Sequence, residues 1–404
     1  MRISDQAFVR EFNTSVVMDY IRLYAPISRA ELAVRTGLNR STITLIINEL
    51  IDRGFVQETA LQDSRIGRPG MLLQFDPKGG FAIGVEIGVD FLVVIVTNFV
   101  ADILWSRRVP IGPGTDRYAM MELAENIISQ AFEYGQASGL RPLGIGVGIP
   151  GLVDARQGRL VFAPNLKWSD IPIRMIWMSR FNIPVFVENE ANCAAMGEYF
   201  YGIAHDTKDF IYIKTGVGLG SGIMVGGRLF KGTNGFAGEV GHTTIYNDGP
   251  LCGCGRHGCW ETYVSPSALL RSAVDKIERG EPSWMLKQVD GDLSKITLDT
   301  LIEAAEQDDP VALIALDEAG VHLGIGIVNL ANIFDPGLVV IGGALSLCGK
   351  WLVPKIQTIL HDNILPPLRD KIRVELSSHG EDACAIGAVA LVLDDLLREP
   401  MSSL

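Results

Sequence analysis

The sequence predicts an α/β protein: an N-terminal winged helix-turn-helix followed by an α/β body in two related lobes, with a structural zinc loop. Three observations predict it. Residues 28–56 carry two short amphipathic helical patterns on either side of Gly37. From Phe81 onward, β-rich apolar runs alternate with helical stretches. Between residues 235 and 261 stand one imidazole and three thiols: His242, Cys252, Cys254 and Cys259.

The chain has 404 residues, 48% of them apolar, which is enough for two or three domains with sizeable cores. Its net charge of −12 argues against a general polyanion binder. That charge is uneven. Residues 1–76 hold nine Arg and nine acidic residues and sum to zero, so the remaining 26 basic and 38 acidic residues account for the whole −12. A neutral module on an acidic body leaves one end able to approach DNA. The first twenty residues are charged throughout, so no signal peptide is expected. No apolar run is read as long enough to span a bilayer, so no membrane partner is expected. Cysteines grouped for metal rather than disulfides fit a reducing cytoplasm.

Residues 7–23 alternate apolar and polar positions at helical spacing up to Pro26. Ser28 with Glu31 forms a capping-box signal for the next helix, and Ser28 and Arg29 at its start are counted among the expected DNA contacts. Gly37 permits the turn, and Ile43, Ile46, Ile47 and Leu50 then define the buried face of a second helix. Asn39, Arg40, Ser41, Thr42 and Thr44 keep its first turns polar. Such side chains reach base edges and phosphates when a helix start lies in the major groove. Gly54 closes the helix and Phe55-Val56 opens a wing strand. Residues 58–70 are read as the link from wing to body, and the segment containing Arg65 and Arg68 suits a narrow minor groove. The module is assigned residues 1–76. The competing reading is a solvated helical hairpin.

In the body, residues 81–99 read as a hairpin of buried strands and residues 116–138 as a helix. Residues 143–151 form another buried strand ending in Pro-Gly. Ile183–Val187 is a short strand, Glu188–Tyr201 a helix, and Phe210–Lys214 and Val339–Gly343 further strands. Strand-then-glycine units in both halves predict two related lobes around a cleft, where ligands of such folds bind. Residues 215–222, TGVGLGSG, read equally as a phosphate cradle or as a tight turn.

His242, Cys252, Cys254 and Cys259 make a complete tetrahedral set for Zn²⁺, structural because no position is left open. The glycines between them let a short loop fold around the ion. Glu239 and Glu261 stand beside these ligands, so the metal would brace a loop that presents acids.

Taken together, Gly-x-x-Gly-Glu-x-Gly-His followed by Cys-x-Cys-Gly-x-x-Gly-Cys-x-Glu, over nearly the whole chain, resembles the ROK family of sugar kinases and sugar-responsive repressors. The head and its Gly67-Arg68-Pro69 segment resemble the repressor branch, in particular its xylose-repressor-like members. The resemblance implies an actin-like, sugar-kinase-type body and homo-oligomers, dimers or tetramers. It divides the body at 77–188, rejoined by a C-terminal helix 380–404, and 189–379. It also implies a monosaccharide ringed by Asn165, Asn189, Glu190, Glu239, His242 and Glu261, with Trp168 or Trp260 stacking on a sugar face. ROK kinases carry Asp-x-Gly-Gly-Thr after the first strand, where this chain has Glu86-Ile87-Gly88-Val89-Asp90. An added carboxylate repels a triphosphate and a valine blocks backbone approach. The kinase base, an aspartate in Asn-Asp-Ala-Asn, is here Glu190. ATP chemistry is therefore expected to be lost and no residue is assigned as catalytic, while carboxylates remain to hold hydroxyls.

These features predict a sugar-responsive repressor. A dimer would bind palindromic operator DNA, and a monosaccharide or sugar phosphate between the lobes would release it. The rivals are a ROK-type sugar kinase that has gained a DNA-binding head, and a body that answers to a protein partner.

Overall fold

A computed structural model describes residues 2–61, 71–112 and 114–398. The chain divides into two compact units, Met1–Tyr201 with Cys384–Leu404, and Gly202–Ala383.

The first unit begins with the head. Its elements are α1 (Arg2–Tyr24), β1 (Ile27–Ser28), α2 (Arg29–Thr36), α3 (Arg40–Asp52), β2 (Val56–Leu61) and β3 (Met71–Phe75). Val17, Met18 and Ile21 of α1 pack with Leu32, Ile43, Ile47 and Leu50 into a dry core, as the helical spacing of α3 requires. Ser28 caps α2 by accepting from the Glu31 amide at 3.2 Å. The Glu31 carboxylate turns instead to Arg35 at 2.9 Å, so only half of the expected capping box forms. Gly37 ends α2 at φ 72°, a left-handed conformation that a side chain would strain. β1, β3 and β2 form one sheet in that order. β2 and β3 pair antiparallel from Val56↔Phe75 inward. Residues 58–61 and 71–75 are therefore strands of the wing, which corrects the reading of 58–70 as a linker. Arg65 and Arg68 lie outside the described residues.

After a short turn, the same unit builds β4 (Phe81–Ile87), β5 (Phe91–Asn98), β6 (Ile103–Pro110), α4 (Arg117–Ala137) and β7 (Pro142–Ile149). A small antiparallel sheet follows, β8 (Leu152–Asp154), β9 (Arg159–Ala163) and β10 (Trp168–Ile171). Then come α5 (Ile173–Phe181), β11 (Val185–Asn189) and α6 (Glu190–Tyr201). The main sheet runs β11-β7-β4-β5-β6, with β4 parallel to β7 and antiparallel to β5. Ile83, Val85, Ile145 and Val147 cover one face with α4 and α5.

The second unit repeats this order. β12 (Phe210–Thr215), β13 (Leu219–Val225) and β14 (Arg228–Leu229) form the meander. The helices α7 (Glu261–Val264), α8 (Pro266–Glu278), α9 (Trp284–Gln288), α10 (Leu298–Glu306) and α11 (Pro310–Phe334) follow. β15 (Leu338–Gly343), α12 (Gly349–Asn363) and β16 (Arg373–Leu376) complete it. The sheet is β14-β13-β12-β15-β16, the same arrangement of a central strand, a hairpin arm and two parallel neighbours. The two related halves read from the strand-glycine units are thus present as one topology used twice. α11 corrects one expectation, since it is long and apolar enough to cross a membrane. It is instead the core helix of this unit, with Leu316, Leu323 and Ile327 buried against α8 and α12.

The last helix, α13 (Ala383–Arg398), returns to the first unit and closes the second face of its sheet. The strands approach it so closely that glycine is required. A Cβ at Gly146 would lie 1.8 Å from the Ala388 carbonyl oxygen. Gly146→Ala is expected to cost about 3 kcal/mol, because backbone rather than a flexible side chain must yield. Urea unfolding measures this; an unchanged midpoint would mean that α13 is not seated on the sheet.

Candidate functional site

The loop between β14 and α7 gathers the donors. A one-turn helix, Val240–His242, delivers His242, and backbone bridges Thr244↔Cys259 and Leu251↔His257 close the loop around the cysteines. The Cys252 amide donates to the Arg256 carbonyl at 2.8 Å and the Gly255 amide to the Cys252 carbonyl at 2.9 Å, making a tight knuckle. One ring nitrogen of His242 and the three Sγ atoms all lie within 4.8 Å of one another, so this cluster can hold a metal ion. Cys254 Sγ is 3.6 Å from Cys259 Sγ, and Cys252 Sγ is 3.6 Å from His242 Nδ1. Four ligands at zinc–sulfur bond length around a tetrahedral ion stand about 3.8 Å apart, so the donor set fits zinc.

The thiols are not equivalent. Burial pushes Cys252 and Cys259 up, and the Glu261 carboxylate, 2.8 Å from Cys252 Sγ, adds to the effect at Cys252. Burial also opposes ionisation at Cys254, but hydrogen bonds from the Arg256 backbone and guanidinium and from the neighbouring thiols outweigh it and bring Cys254 down to about 6. A bound dication deprotonates coordinating thiols outright. Glu261 Oε1 is also 3.4 Å from His242 Nδ1, so the acid stands directly against the ligand set. Glu239 is exposed just before the His242 turn.

The other expected sugar contacts lie in the first unit. Asn189 ends β11; its Nδ2 donates to the Gly151 carbonyl at 3.0 Å and its Oδ1 accepts from the Ala191 amide at 2.8 Å. It thus caps α6 and fixes the turn after β7. Glu190 is the first residue of α6 and is half-buried. Asn165 sits exposed in the turn between β9 and β10. Trp168 and Trp260 are both core residues, and the Trp260 indole donates to the His322 carbonyl at 2.9 Å, which removes both as stacking platforms. The glycine-rich segment after β12 is a tight hairpin turn, its Gly216 amide folded back on the Gly218 carbonyl at 2.9 Å. Thr215 Oγ1 there donates to the Gly342 carbonyl and accepts from the Leu345 amide, each at 2.9 Å. Glu86 is buried within β4, and Asp90 is exposed in the β4–β5 turn.

On the head, Asn39 caps α3 by accepting from the Thr42 amide at 2.7 Å and also receives the Ser41 hydroxyl. Arg40, Ser41, Thr44, Leu45 and Asn48 are exposed. Their spacing places them on one face, opposite the buried isoleucines. Leu45, 70% exposed, and Asn48 are additions that the sequence reading does not contain. The available signal was an apolar residue lying off the buried stripe, suited to a thymine methyl. Ser28 is buried as a cap, and Arg29 is bound to Glu58 and to Asn48 Oδ1. Thr42 is half-buried at the helix start.

Comparison with known proteins places these features. The ROK family model matches residues 82–395, and a winged helix-turn-helix DNA-binding model matches residues 17–57. The chain is 33% identical to the xylose repressor of Caldicellulosiruptor bescii over 98% of its length and 99% of the relative's. It is 29% identical to the transcriptional dual regulator NagC of Escherichia coli, covering 98% and 96%. Among solved structures, a ROK family transcriptional regulator, a homologue of the E. coli MLC protein, aligns with TM-score 0.83 at 28% identity over 97% of each chain. A ROK family glucokinase from Streptomyces griseus, in complex with glucose and AMPPNP, aligns with TM-score 0.68 at 34% identity, over 77% of this chain and 99% of its own.

Proposed function

The chain belongs to the ROK family, and on that premise we propose that it is a sugar-responsive repressor of carbohydrate-metabolism genes, working in the cytoplasm as a homo-oligomer on double-stranded operator DNA. It is a regulator and not an enzyme. The observation that carries the reading is a winged helix-turn-helix head, with a largely polar exposed face on α3, on a body altered at Glu86–Asp90 and Glu190. Relatives that match this chain over nearly their whole length are named a repressor and a transcriptional dual regulator, whereas the aligned glucokinase spans only 77% of this chain.

The proposed operator contacts are Asn39, Arg40, Ser41, Thr42 and Thr44, with Arg65 and Arg68 from the wing segment. Ser28 and Arg29 support them from within the head. The proposed sugar contacts are Asn165, Asn189, Glu190, Glu239, His242 and Glu261. Asn189 retains one amide hydrogen beyond its cap and turn bonds. With Nδ1 turned to the thiols, His242 keeps Nε2 for a hydroxyl. Carboxylates accept from neighbouring hydroxyls and reject ligands that lack them. Zinc is the proposed metal, held by His242, Cys252, Cys254 and Cys259. When bound, it supplies a tetrahedral cross-link, and the chain's own residues do the rest: Arg256 holds the His242 carbonyl at 2.9 Å, and Glu261 is fixed beside the imidazole.

D-Xylose is the first effector to test, given the names of the relatives at 32–34% identity. It should raise the melting temperature and weaken operator binding by about 5- to 150-fold, since an effector must favour one state to shift the balance. Fluorescence anisotropy with labelled promoter DNA reads the shift. A coupled assay with ATP and a panel of hexoses, pentoses and amino sugars should show no sustained ADP release; turnover would return the body to the kinases.

A further inference from the structure

We propose that α6 is the rod that carries effector occupancy to the DNA-binding head, and that Arg22 is the residue that reads it. The proposal rests on the sugar-sensing reading above, because the first residues of α6 are among the proposed sugar contacts. Its own support lies at the other end of the helix.

Arg22 stands in the last turn of α1, and its side chain is only 5% exposed. Nη1 donates to the Tyr199 carbonyl at 3.2 Å, one of the final carbonyls of α6 that have no partner within the helix. The guanidinium carbon lies 4.7 Å from the centroids of both the Tyr199 and Phe200 rings. Asp19 holds Nε at 3.0 Å and Nη2 at 2.8 Å from the opposite side. A planar, permanently charged group is thus clamped in one orientation, with α6 forming half of the clamp.

α6 itself has no slack. Every residue from Ala191 to Phe200 is buried. A Cβ added at Gly387 of α13 would lie 1.6 Å from the Cys193 carbonyl, so the two helices touch along their backbones. A helix of twelve residues spans about 18 Å, and close-packed elements shift as units rather than deform. Displacement at Asn189–Glu190 therefore reaches Tyr199.

The head also has a pivot. Arg141, just ahead of the buried part of β7, donates to the Arg53 carbonyl at the end of α3 at 2.9 Å and to the Gly79 carbonyl at 2.8 Å. It stacks on Phe55 at 4.4 Å. Beside the Arg22 clamp, a cavity of about 320 Å³ is bounded by Ile21, Phe75, Phe99, Phe200, Leu393 and Leu397. One arginine holds the end of the recognition helix, the other grips the rod, and the cavity that Arg22 lines gives the head room to rock.

The test measures operator affinity with and without D-xylose, then D-glucose and N-acetylglucosamine, for wild type, Arg22→Met and Arg22→Lys. Sugar binding is measured separately by calorimetry. The expected result for Arg22→Met is sugar affinity within about twofold of wild type and a ratio of operator affinities that falls from the about 5- to 150-fold of a coupled system to near one. Arg22→Lys keeps the charge but not the planar stack, so it should fold and give an intermediate ratio. By reciprocity, operator DNA should weaken sugar binding in wild type and not in Arg22→Met. If either variant binds sugar and keeps the wild-type ratio, even with weaker operator binding in both states, the relay is overturned and the sugar-sensing reading stands. If wild type shows a ratio of one with every sugar, that reading fails and takes the relay with it.

Discussion

Cys254→Ser will strip the protein of its metal and its response to effector, while operator binding without effector stays within a fewfold of wild type. Cys254 is the exposed member of the set, so serine removes a ligand and disturbs little packing, whereas Cys259 is fully buried and its loss would confound the two. Changes outside the ligand set typically cost 10- to 100-fold in metal affinity, so losing a ligand should exceed about 100-fold. The loop has little else to order it. Most of residues 243–257 are exposed, and its closure rests on two isolated bridges and a few backbone bonds. Without the ion, His242 and Glu261 would lose their fixed separation and the proposed sugar contacts their geometry. The winged head has its own core and does not draw on this loop. Metal content by elemental analysis should fall from about one per chain to near zero. A metal-free preparation that kept its full effector response would break the link between loop and sensing.

Much of this is legible in the sequence, for identifiable reasons. Ile43, Ile46, Ile47 and Leu50 announce the buried face of α3 because a surface helix must segregate its residues. The metal-ligand cluster is legible because metal chemistry restricts ligands to a few residue types at short spacing, and the fold gathers those four donors within 4.8 Å of one another. The buried strands β4, β5, β7, β12 and β15 are legible as apolar runs. Other elements are not. β8, β9 and β10 are only three to five residues long and show no strict polar–apolar alternation, too little for periodicity to decide. α11 is apolar nearly all round, because α8, α12 and the sheet cover it, so the pattern that marks a surface helix is absent. The wing hairpin reads as a linker because Gly and Pro between its strands signal a loop of either kind.

Side-chain roles are harder to read than elements. Ser28 and Asn39 carry the same capping chemistry, yet Ser28 is buried and Asn39 exposed, a difference set by β1 pairing with β3 far along the chain. Trp260 looks available because it follows a ligand cysteine; a helix some sixty residues later in the chain buries it. Arg22 gives no signal at all. Its partners, Tyr199 and Phe200, lie at the end of a helix whose motif stands entirely at its beginning.

Arg40→Glu will abolish specific operator binding and leave the fold intact. Arg40 is the first residue of α3 and is exposed. The head as a whole carries no net charge, so its attraction to DNA rests on where individual arginines stand. At a helix start in the major groove, this guanidinium meets either a phosphate or a guanine edge. Glutamate removes that interaction and sets a carboxylate against the polyanion. Like charges at an interface cost several kcal/mol, so affinity should fall at least about 100-fold. The substitution should not unfold the head, since a carboxylate in the first turn complements the helix dipole and Arg40 packs against no core. Arg40→Ala then separates the two roles. If the guanidinium binds phosphate, alanine weakens binding to all sequences alike and lowers the salt dependence by about one ion; if it reads a base, alanine relaxes preference at one operator position. Anisotropy titrations at two salt concentrations, with promoter and scrambled duplexes, distinguish them. Operator affinity unchanged in Arg40→Glu, with the head still folded by circular dichroism, would place the reading surface somewhere other than the exposed face of α3.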